Sequence, residues 1–380
     1  MPQLIASGMK ENYRVIGLMS GSSLDGVDVA CCDFWWKDNS WQYKVIEGKT
    51  YPYSEMWVAR LQQLPQQSLE VFPKTHAFYG RYLGQLVNQF IQETKFTADF
   101  VASHGHTIFH QPNAGFTAQI GDGAAISAIC GLPVVSDFRS MDIALGGQGA
   151  PLVPIGDQLL FGEYEACLNL GGISNISYKN NNKVAAYDIS PCNLVLNKMA
   201  QILGQPYDNR GMLAKSAEPN LELVNQLNAL AFYQQSGAKS LGIEWVNQHI
   251  WPIVAQFPQL NELEILASLS KHISFQISSV INEQQIKSVL VTGGGAFNDY
   301  LIQQIQENTS AKLIIPELEL VQFKEALIFA FLGVLRICNQ NNVLCSVTGS
   351  NKDHVGGALY GNFNLLIYNR LEATCNYKNS

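Results

Sequence analysis

The stretch VIGLMSGSSLDGVDVACCDFWW, residues 15–36, decides the fold class. An apolar run reaches a turn of small residues at 20–23, and Asp25-Gly26 precedes a second, alternating apolar run. Asp-Gly between two strand-like runs predicts a β-hairpin. Gly and Ser in such a turn leave backbone N–H groups and hydroxyls free to face an anion. The stretch therefore predicts either a plain hairpin tip or an anion-binding turn.

Composition limits the class of protein. The chain has 380 residues, of which 47% are hydrophobic and 14% charged, so we expect a globular protein of about two domains. A net charge of −7 argues against nucleic acid as the main partner. The longest apolar run, 326–335, is too short to cross a membrane, and the N-terminus lacks a signal-peptide layout. The 8 cysteines form no CxxC pair, which predicts free thiols in the cytoplasm.

The hydrophobic pattern of the first half predicts an antiparallel meander followed by alternating helices and strands. The strand at 99–103 is expected to end at His104–Thr107. The predicted strands are 15–22, 27–36, 41–51, 99–103 and 133–135, and the predicted helices are 55–64, 75–95 and the end of 120–130.

The second half repeats this plan. Residues 167–177 read as one strand interrupted by two glycines, and the turn at 179–183 leads back into 184–189. Two copies of the pattern predict an internally duplicated α/β fold with a cleft between the halves. The remaining predictions are a strand at 288–292 and helices at 193–203, 261–283, 299–308 and 325–338.

Two glycine-rich segments are candidate binding sites. Glycines inside Asn169–Asn175 indicate either close approach of a ligand to the backbone or a β-bulge. Gly293–Gly295 joins a strand to a helix, where a nucleotide can lie against bare backbone near a helix N-terminus. The alternative is a plain turn. Neither the Rossmann nor the Walker motif is present.

Three sets of polar residues are candidates for chemistry. Asp188, at a strand end before a helix, is either a proton acceptor or an N-cap. Arg139 lies between Asp137 and Asp142, which suits either a substrate carboxylate or a local salt bridge. The histidines at 104, 106 and 110 lack a nearby Cys or acid to complete a metal site, so a polar sugar-binding edge is favoured.

Together these segments resemble the anhydro-N-acetylmuramic acid kinase family over nearly the whole chain. The longest matching segment is PVVSDFRSMDIALGGQGAPLVP at 133–154. The others are GLMSGSSLDGVDVA at 17–30, SHGHTIFHQP at 103–112, QIGDGAAIS at 119–127, NLGGISNIS at 169–177, the 188–193 segment, VTGGGAFNDYL at 291–301 and EALIFAFLG at 325–333.

The resemblance implies the two-domain ATPase fold of actin, hexokinase and the Hsp70 chaperones. We expect one lobe at 1–135 plus 355–380 and the other at 136–354. The implied activity uses ATP and Mg²⁺ to open 1,6-anhydro-N-acetylmuramic acid hydrolytically and to phosphorylate O6. The product, N-acetylmuramic acid 6-phosphate, belongs to cell-wall recycling. The expected assembly is a homodimer.

The resemblance also implies roles for individual residues. Asp188 matches the catalytic base, which activates the water that attacks C1. Mg²⁺ is expected mainly on the ATP phosphates, with Asp25 as a protein ligand. The expected ATP-binding residues are Gly21, Ser22, Ser23, Leu24, Asp25, Gly26, Gly171, Gly172, Gly293, Gly294, Gly295 and Asn298, and the expected substrate-binding residues are His104, His106, Arg139, Gln148, Asn193 and Glu325.

The chain departs from the family pattern at several positions. The family usually reads Asp-Thr-Gly-Pro-Gly-Asn, where this chain has Asp-Ile-Ser-Pro-Cys-Asn at 188–193. Side chains at 190 and 192 would strain the loop if it needs positive φ. Ile243 stands where Arg is usual, and His106 where Gln is usual. The alternatives are a sugar or nucleotide sensor of the same fold and a kinase for another sugar.

Overall fold

Two β-sheets organise the chain, one in each of two units. The computed structural model describes residues 10–21, 24–181, 183–235, 237 and 239–363. The first unit takes in the described residues up to Leu160 together with those from Phe323 onward, and the second is Phe161–Gln322.

The sheet of the first unit grows from the hairpin that opens the sequence. Strands β1 and β2 pair antiparallel, β3 continues this meander, and β4 and β6 run parallel to β1 and to each other. The strand order is β12-β6-β4-β1-β2-β3, with β5 paired to β4. The strands are β1 (Tyr13–Ser20), β2 (Gly26–Lys37), β3 (Ser40–Pro52), β4 (Phe100–Gln111), β5 (Phe116–Ile120), β6 (Val134–Ser136) and β12 (Ala358–Tyr360).

The sheet of the second unit has five strands. Its strands β7, β8 and β9 form an antiparallel meander, and β10 and β11 follow in parallel on the other side of β7. The strand order is β11-β10-β7-β8-β9. The strands are β7 (Ala166–Leu170), β8 (Ile173–Asn180), β9 (Lys183–Pro191), β10 (Ser288–Thr292) and β11 (Lys312–Ile314).

The two sheets share one topology. The path β6-β4-β1-β2-β3 in the first unit corresponds strand for strand to β11-β10-β7-β8-β9 in the second. In both, a meander supplies the antiparallel strands and helical crossovers supply the parallel ones. The predicted internally duplicated α/β fold is confirmed.

Helices cover the sheets. In the first unit they are α1 (Glu55–Gln63), α2 (Val71–Thr94), α3 (Gly123–Cys130), α4 (Ser140–Ala144), α5 (Val153–Leu160) and α14 (Cys345–Thr348). In the second they are α6 (Asn193–Ile202), α7 (Met212–Lys215), α8 (Leu221–Asn228), α9 (Ile243–Trp245), α10 (Trp251–Val254), α11 (Glu262–Glu283) and α12 (Asp299–Glu307). Helix α13 (Leu318–Ile337) contains the boundary at Gln322.

Local sequence explains why the principal helix of the second unit starts where it does. Asn261 caps α11, because its side chain accepts from the N–H groups of Leu263 and Glu264, and Glu264 bonds back to the Asn261 N–H. Leu266 and Ile273 are among the α11 side chains buried against the sheet. Burial of this apolar face stabilises the helix more than propensity does.

In the first unit, α13 lies directly on β1. A Cβ added to Gly17 would lie 2.0 Å from the carbonyl oxygen of Ala326, so only glycine allows this approach. Ala326, Ile328 and Phe331 are fully buried or nearly so. The apolar run at 326–335 is therefore core, as its length predicted. Among the residues described, no helix is long and apolar enough to cross a membrane.

Two predicted elements differ from the observed ones. Residues 167–177 form two strands, because Gly171 and Gly172 make the tip of a tight hairpin in which Leu170 pairs with Ser174. The strand that was predicted to end at His104–Thr107 instead continues as β4 to Gln111 and pairs with β5. Gly105, with φ of 74°, permits the irregularity within that strand.

The division into units also differs from the expected lobes. Residues 136–160 and 323–354 belong to the first unit. Packing explains the difference, because Lys324 forms a buried salt bridge of 2.7 Å with Asp157, and the start of α13 rests on β1.

The adjacent glycines Gly294 and Gly295 provide a matched test of packing. A Cβ on Gly295 would lie 2.7 Å from the Leu170 Cβ, whereas one on Gly294 would meet only the Asn193 side chain at 3.7 Å. We expect Gly295→Ala to lower the free energy of unfolding by about 1–3 kcal/mol through overpacking. Gly294→Ala should change it by less than about 0.5 kcal/mol. Denaturant unfolding of both variants checks this, and equal effects would contradict the observed packing.

Candidate active site

The turn after β1 is held by backbone bonds at both ends. The Leu24 N–H donates to the Gly21 carbonyl at 3.4 Å, and the Tyr53 N–H donates to the Asp25 carbonyl at 3.3 Å. Gly26 cannot be replaced without a clash, because an added Cβ would lie 2.3 Å from the Tyr51 oxygen. Ser22 and Ser23, both expected to bind ATP, lie outside the described residues.

Two carboxylates follow this turn. Asp25 is exposed and Asp28 is half-buried. Burial raises the pKa of Asp28, the hydrogen bond from Thr50 opposes this rise, and the charge of Asp25 adds to it. Mg²⁺ binds carboxylate oxygens, usually one or two together with substrate phosphates, and Asp25 fits that donor type. No group of three potential metal ligands occurs within the described ranges.

His106 faces a buried hydroxyl at the end of β1. The Ser20 Oγ lies 2.7 Å from His106 Nδ1 and 2.6 Å from the Tyr53 hydroxyl, and it accepts from the Tyr79 hydroxyl at 2.9 Å. Burial lowers the pKa of His106 to about 4, so its ring is neutral at physiological pH. One ring nitrogen of this expected substrate ligand is therefore already occupied by the protein.

Arg139 is held by His104 and by a glycine loop. Its Nε and Nη2 donate to His104 Nε2 at 3.0 and 2.8 Å, and its Nη1 donates to the Gly149 carbonyl at 2.6 Å. His104 Nδ1 donates to the Gly105 carbonyl, which fixes the neutral tautomer. Burial lowers the pKa of Arg139 to about 10, and Glu325 and Asp142 act in the opposite direction. Three of the five guanidinium N–H groups are used, which leaves two for a ligand.

The loop beside Arg139 wraps around Asp142, which is fully buried. Asp142 accepts from the Gly149 N–H and from the Thr348 hydroxyl, both at 2.7 Å. Gly147 lies so close that an added Cβ would be 2.2 Å from the Asp142 carboxylate. Gln148, at the tip, is exposed, and its N–H donates to the Thr348 carbonyl at 2.8 Å. Asp142 thus positions the loop, and the loop positions Arg139.

Glu325 is a half-buried carboxyl with no hydrogen-bond donor among the residues that the structure describes. Burial raises its pKa, Lys324 and Arg139 oppose the rise, and Asp28 adds to it. A carboxyl in this situation is poised to gain from a donor on a ligand. His104, Arg139 and Glu325 therefore form one connected polar group in the first unit.

Asp188 lies on β9 of the second unit. Its Oδ2 accepts from the Leu241 N–H at 2.8 Å and from the Ser240 hydroxyl at 3.2 Å. Its Oδ1 has no donor within the described ranges. Burial raises the pKa of Asp188, and the bonds from Leu241 and Ser240 oppose the rise. Asp188 precedes α6 by five residues and is not its N-cap, since Cys192 occupies that position.

The tip of the β7–β8 hairpin contacts the start of α6. The carbonyl of Gly171 accepts from the Asn193 N–H at 3.1 Å, and that of Gly172 accepts from the Cys192 and Leu194 N–H groups at 2.9 and 3.0 Å. The Asn193 side chain donates to the Leu170 carbonyl at 2.9 Å. The first N–H groups of α6 are therefore satisfied by protein rather than left for a phosphate.

The three consecutive glycines have different roles. Gly293 takes a φ of 82°, and Gly295 packs against Leu170. Gly294 is exposed, and a Cβ there would meet only the Asn193 side chain, at an ordinary contact distance of 3.7 Å. A 3₁₀ turn, Gly294–Phe297, follows, and Asn298 then caps α12 by accepting the Leu301 N–H at 3.0 Å. The predicted direct passage from strand to helix is thus interrupted by this turn.

The sequence pattern pointed to the glycines of Asn169–Asn175, but it gave no role to the two asparagines of that segment or to Ser240, which surround Asp188. Asn175 is directly opposite Asp188 on β8, and Asn169 is opposite Asn175 on β7, so the three share one face of the sheet. Ser240 reaches Asp188 from 52 residues away in sequence. The Asn pair was visible as a polar alternation in an apolar strand, whereas the Ser240 contact had no local signal.

The departures at 189–192 are accommodated without left-handed backbone. Ile189 and Ser190 are buried, and Cys192 is fully buried with a φ of −130°. Neither Ser190 nor Cys192 has a positive φ. The Ser190 hydroxyl bonds to the Ser174 hydroxyl at 3.0 Å. Ile243 is 45% exposed, so it adds no buried charge and disturbs no core.

Comparisons with solved structures find chains of low overall similarity. Component A of the (R)-2-hydroxyglutaryl-CoA dehydratase of Acidaminococcus fermentans is 13% identical, with a TM-score of 0.44, over 84% of this chain and 96% of its own. A ROK family glucokinase from Streptomyces griseus, in complex with glucose and AMPPNP, is 10% identical, with a TM-score of 0.39, over 84% of this chain and 98% of its own.

Comparisons of sequence find proteins that are much more similar to this chain. A model of the family described as anhydro-N-acetylmuramic acid kinase matches residues 13–362. The protein of that name from Shewanella loihica is 34% identical over 93% of this chain and 99% of its own. Its namesake from Synechocystis sp. is 34% identical over 91% and 98%, and that from Francisella tularensis subsp. novicida is 31% identical over 92% and 99%. The chain therefore belongs to the anhydro-N-acetylmuramic acid kinase family.

Proposed function

We propose that the protein uses ATP to open 1,6-anhydro-N-acetylmuramic acid by hydrolysis and to phosphorylate O6, which gives N-acetylmuramic acid 6-phosphate. The observation that carries this proposal is the setting of Asp188. One carboxylate oxygen is held by two donors, the other has no donor among the described residues, and burial raises the pKa. A carboxylate of this kind suits a general base.

The reaction needs few catalytic side chains. Asp188 would take a proton from water through Oδ1 as the water oxygen attacks C1 of the sugar. The C1–O6 bond breaks, and O6 takes the γ-phosphoryl group of ATP while ADP leaves. Phosphoryl transfer depends mainly on positioning and charge neutralisation, which glycine loops and a few polar groups supply. The raised pKa makes Asp188 a stronger base than a solvated carboxylate.

Sugar recognition is assigned to the polar group of the first unit. Arg139 has two unused N–H groups, which suit the lactyl carboxylate of a muramic acid. Glu325 lacks a donor, so a sugar hydroxyl would satisfy it. Two further residues are proposed to bind the sugar. Gln148 lies at the exposed loop tip, and His104 orients Arg139. His106 and Asn193 are both bonded within the protein, and we assign them a supporting role.

Nucleotide binding is assigned to the glycine segments. The exposed backbone at Gly294, which carries no side chain, suits the nucleoside, next to Gly293, Gly295 and Asn298. Gly171 and Gly172 lie beside this segment through their contacts with Asn193. The turn at Gly21–Gly26 would bind phosphates. Mg²⁺ would be held mainly by those phosphates with Asp25, and when bound it neutralises charge on the transferred group.

The biological setting is part of the proposal. The substrate is a product of cell-wall breakdown, so the enzyme would serve cell-wall recycling in the cytoplasm. No disulfide joins the seven cysteines within the described ranges, which is compatible with this proposed compartment. We further propose that the active assembly is a homodimer.

Mass spectrometry tests the proposed function. Purified protein is incubated with ATP, Mg²⁺ and the anhydro sugar, and the product should gain both water and a phosphoryl group. Sugar binding without product would indicate a sensor. Phosphorylation of a different amino sugar in preference to this one would indicate another kinase, and both results contradict the proposal.

Replacement of the base provides a direct prediction. Asp188→Asn retains an oxygen that can accept from Ser240 and Leu241, so the fold and ligand binding should survive. The proton acceptor is lost, and we expect turnover to fall by roughly 10²–10⁴-fold. Ring opening and phosphorylation should fail together, which product analysis can measure. Near wild-type turnover would reduce Asp188 to a structural residue.

Substrate recognition provides a second prediction. Arg139→Ala should raise the KM for the sugar by roughly 10–100-fold, since a charge-assisted fork contributes about 1.5–3 kcal/mol. The KM for ATP should change far less. Arg139→Lys, which keeps the charge but cannot serve His104, Gly149 and a ligand together, should restore only part of the loss. A larger effect on ATP than on sugar would make Arg139 a phosphate ligand.

Nucleotide recognition provides a third prediction. Gly294→Val places a branched side chain at the exposed position where the nucleoside is proposed to lie. ATP affinity should fall at least tenfold, which is about 1.4 kcal/mol, while sugar affinity stays the same. Calorimetry on the folded variant measures both. Unchanged ATP binding would remove the nucleoside from this position.

A further inference from the structure

A short segment beside β9 holds Asp188 from outside the sheet. The Asp188 N–H donates to the Lys239 carbonyl at 3.0 Å. The next two residues return two donors to the Asp188 carboxylate, the Ser240 hydroxyl and the Leu241 N–H. Lys239–Leu241 therefore lies beside β9, the edge strand of the sheet, and is hydrogen-bonded to both the backbone and the side chain of Asp188. We call these three residues the base clamp.

We propose that Ser240 and Lys239 are positioning residues for the base, and that they act on the reaction only through Asp188. The proposal rests on the proposed function, in which Asp188 accepts the proton of the attacking water. The base clamp occupies Oδ2 with two donors, so Oδ1 is the oxygen that remains for water. Without the Ser240 hydroxyl, the Leu241 N–H alone would hold the carboxylate, which could then turn about its last torsion.

Lys239 fastens the base clamp to the body of the unit. Its ammonium donates to the carbonyls of Phe232 and Gln235, both at 3.2 Å, and lies 4.7 Å from the centre of the Phe232 ring. Tyr187, the neighbour of Asp188 on β9, provides a second ring at 5.8 Å. A lysine held in this way has little freedom to reach a phosphate. It closes the loop that leads from the 3₁₀ turn Ala231–Gln234 to the base clamp.

The Phe232 turn is itself tied to the core. Tyr233 bonds to His272 Nε2 at 2.9 Å, and Asn228 Oδ1 lies 2.6 Å from His272 Nδ1. His272 belongs to α11 and is almost fully buried, and burial lowers its pKa to about 3. The support of the base therefore runs from α11 through the 3₁₀ turn and Lys239 to Asp188.

The charged groups around Asp188 do not explain its ionisation. Burial raises the pKa of Asp188, the hydrogen bonds from Leu241 and Ser240 lower it, and no charged partner contributes. On the neighbouring elements, Glu283 of α11 acts on Tyr187 and Lys239, and the Lys239 ammonium is directed at carbonyls. Asn175, opposite on β8, is neutral. Ser240 is thus the one side-chain donor that tunes Asp188 among the residues described.

Removal of the Ser240 hydroxyl should change the pH dependence of kcat/KM. A donor to the ionised form lowers a carboxyl pKa, so removing the Ser240 hydroxyl should raise that of Asp188. A general base must be ionised, and its activity is lost as the pH falls through its pKa. The acid limb of kcat/KM should therefore move to higher pH in Ser240→Ala, by about one unit.

The experiment compares Ser240→Ala with Ser240→Thr, which keeps the hydroxyl. Ser240 is exposed, so both variants should fold. For Ser240→Ala we expect kcat near neutral pH to fall about five- to tenfold, the acid limb to rise, and the KM for ATP to stay unchanged. Ser240→Thr should restore most of kcat and return the limb toward wild type. A uniform loss at all pH values without movement of the limb would overturn the proposal.

A second measurement does not depend on activity. Carbon-13 NMR of the aspartate carboxyl groups, assigned by comparison with Asp188→Asn, gives the pKa of Asp188 in both proteins. It should rise in Ser240→Ala and not in Ser240→Thr. An unchanged pKa overturns the proposal even if the wild type is an active kinase. Conversely, a wild type that forms no product overturns the proposed function, whatever the NMR titration shows.

A double-mutant cycle tests whether Ser240 acts only through Asp188. In the Asp188→Asn background, Ser240→Ala should cause no further loss of the residual turnover, because the group it positions is already gone. Lys239→Met should lower kcat with the KM for ATP unchanged, and Lys239→Arg should recover part of it. Additive losses in the cycle, or a KM for ATP that rises with Lys239→Met, would assign these residues to the nucleotide instead.

Discussion

The bond from the Asp188 N–H to the Lys239 carbonyl determines how the second unit presents its carboxylate. Because this N–H points outward, Asp188 and Asn175 form a non-hydrogen-bonded pair across β8 and β9, the type in which side chains approach most closely. One residue later, the register shifts at Ile189, whose side chain enters the core. Pairing with β8 on one side and the bond to the Lys239 carbonyl on the other therefore fix the backbone of Asp188, the proposed base. Asp188 does not depend on the flexibility of a loop.

The two units hold their polar groups by different physical means. In the first unit, a chain of hydrogen bonds orients each polar group through the one before it. The chain runs from Thr348 through Asp142, Gly149 and Arg139 to His104. Buried networks of this kind are stable only when every member is satisfied, and they specify one geometry in return. In the second unit, backbone carbonyls and close glycine contacts do most of the positioning. Glu325 lies outside this chain of bonds and has no hydrogen-bond donor among the described residues, which is why a sugar hydroxyl is proposed as its partner.

Sequence patterns predicted much of the fold for identifiable reasons. Alternation and turn residues located the strands of both meanders, and the repeated pattern predicted the duplication. The prediction of a single strand at 167–177 was wrong, because a single sequence does not distinguish a two-glycine hairpin from a glycine bulge. The predicted end of a strand at His104–Thr107 was wrong because β5, which pairs with the continuation of that strand, had no signal of its own. Ser240 was missed because its contact with Asp188 spans 52 residues, a distance that no local periodicity reports.

The backbone around Ser190 and Cys192 shows what this chain requires at two positions where it departs from the family pattern. Neither residue has a positive φ, and both side chains are fully buried, so neither position demands glycine in this chain. The constraint is instead one of enclosed volume and hydrogen bonding. A larger side chain at either position would overpack the core, and loss of the Ser190 hydroxyl would remove a partner of Ser174. The substitutions that this signature tolerates are therefore set by the space and the hydroxyl pair behind Asp188, while Asp188 itself keeps its bonds to the segment at 239–241.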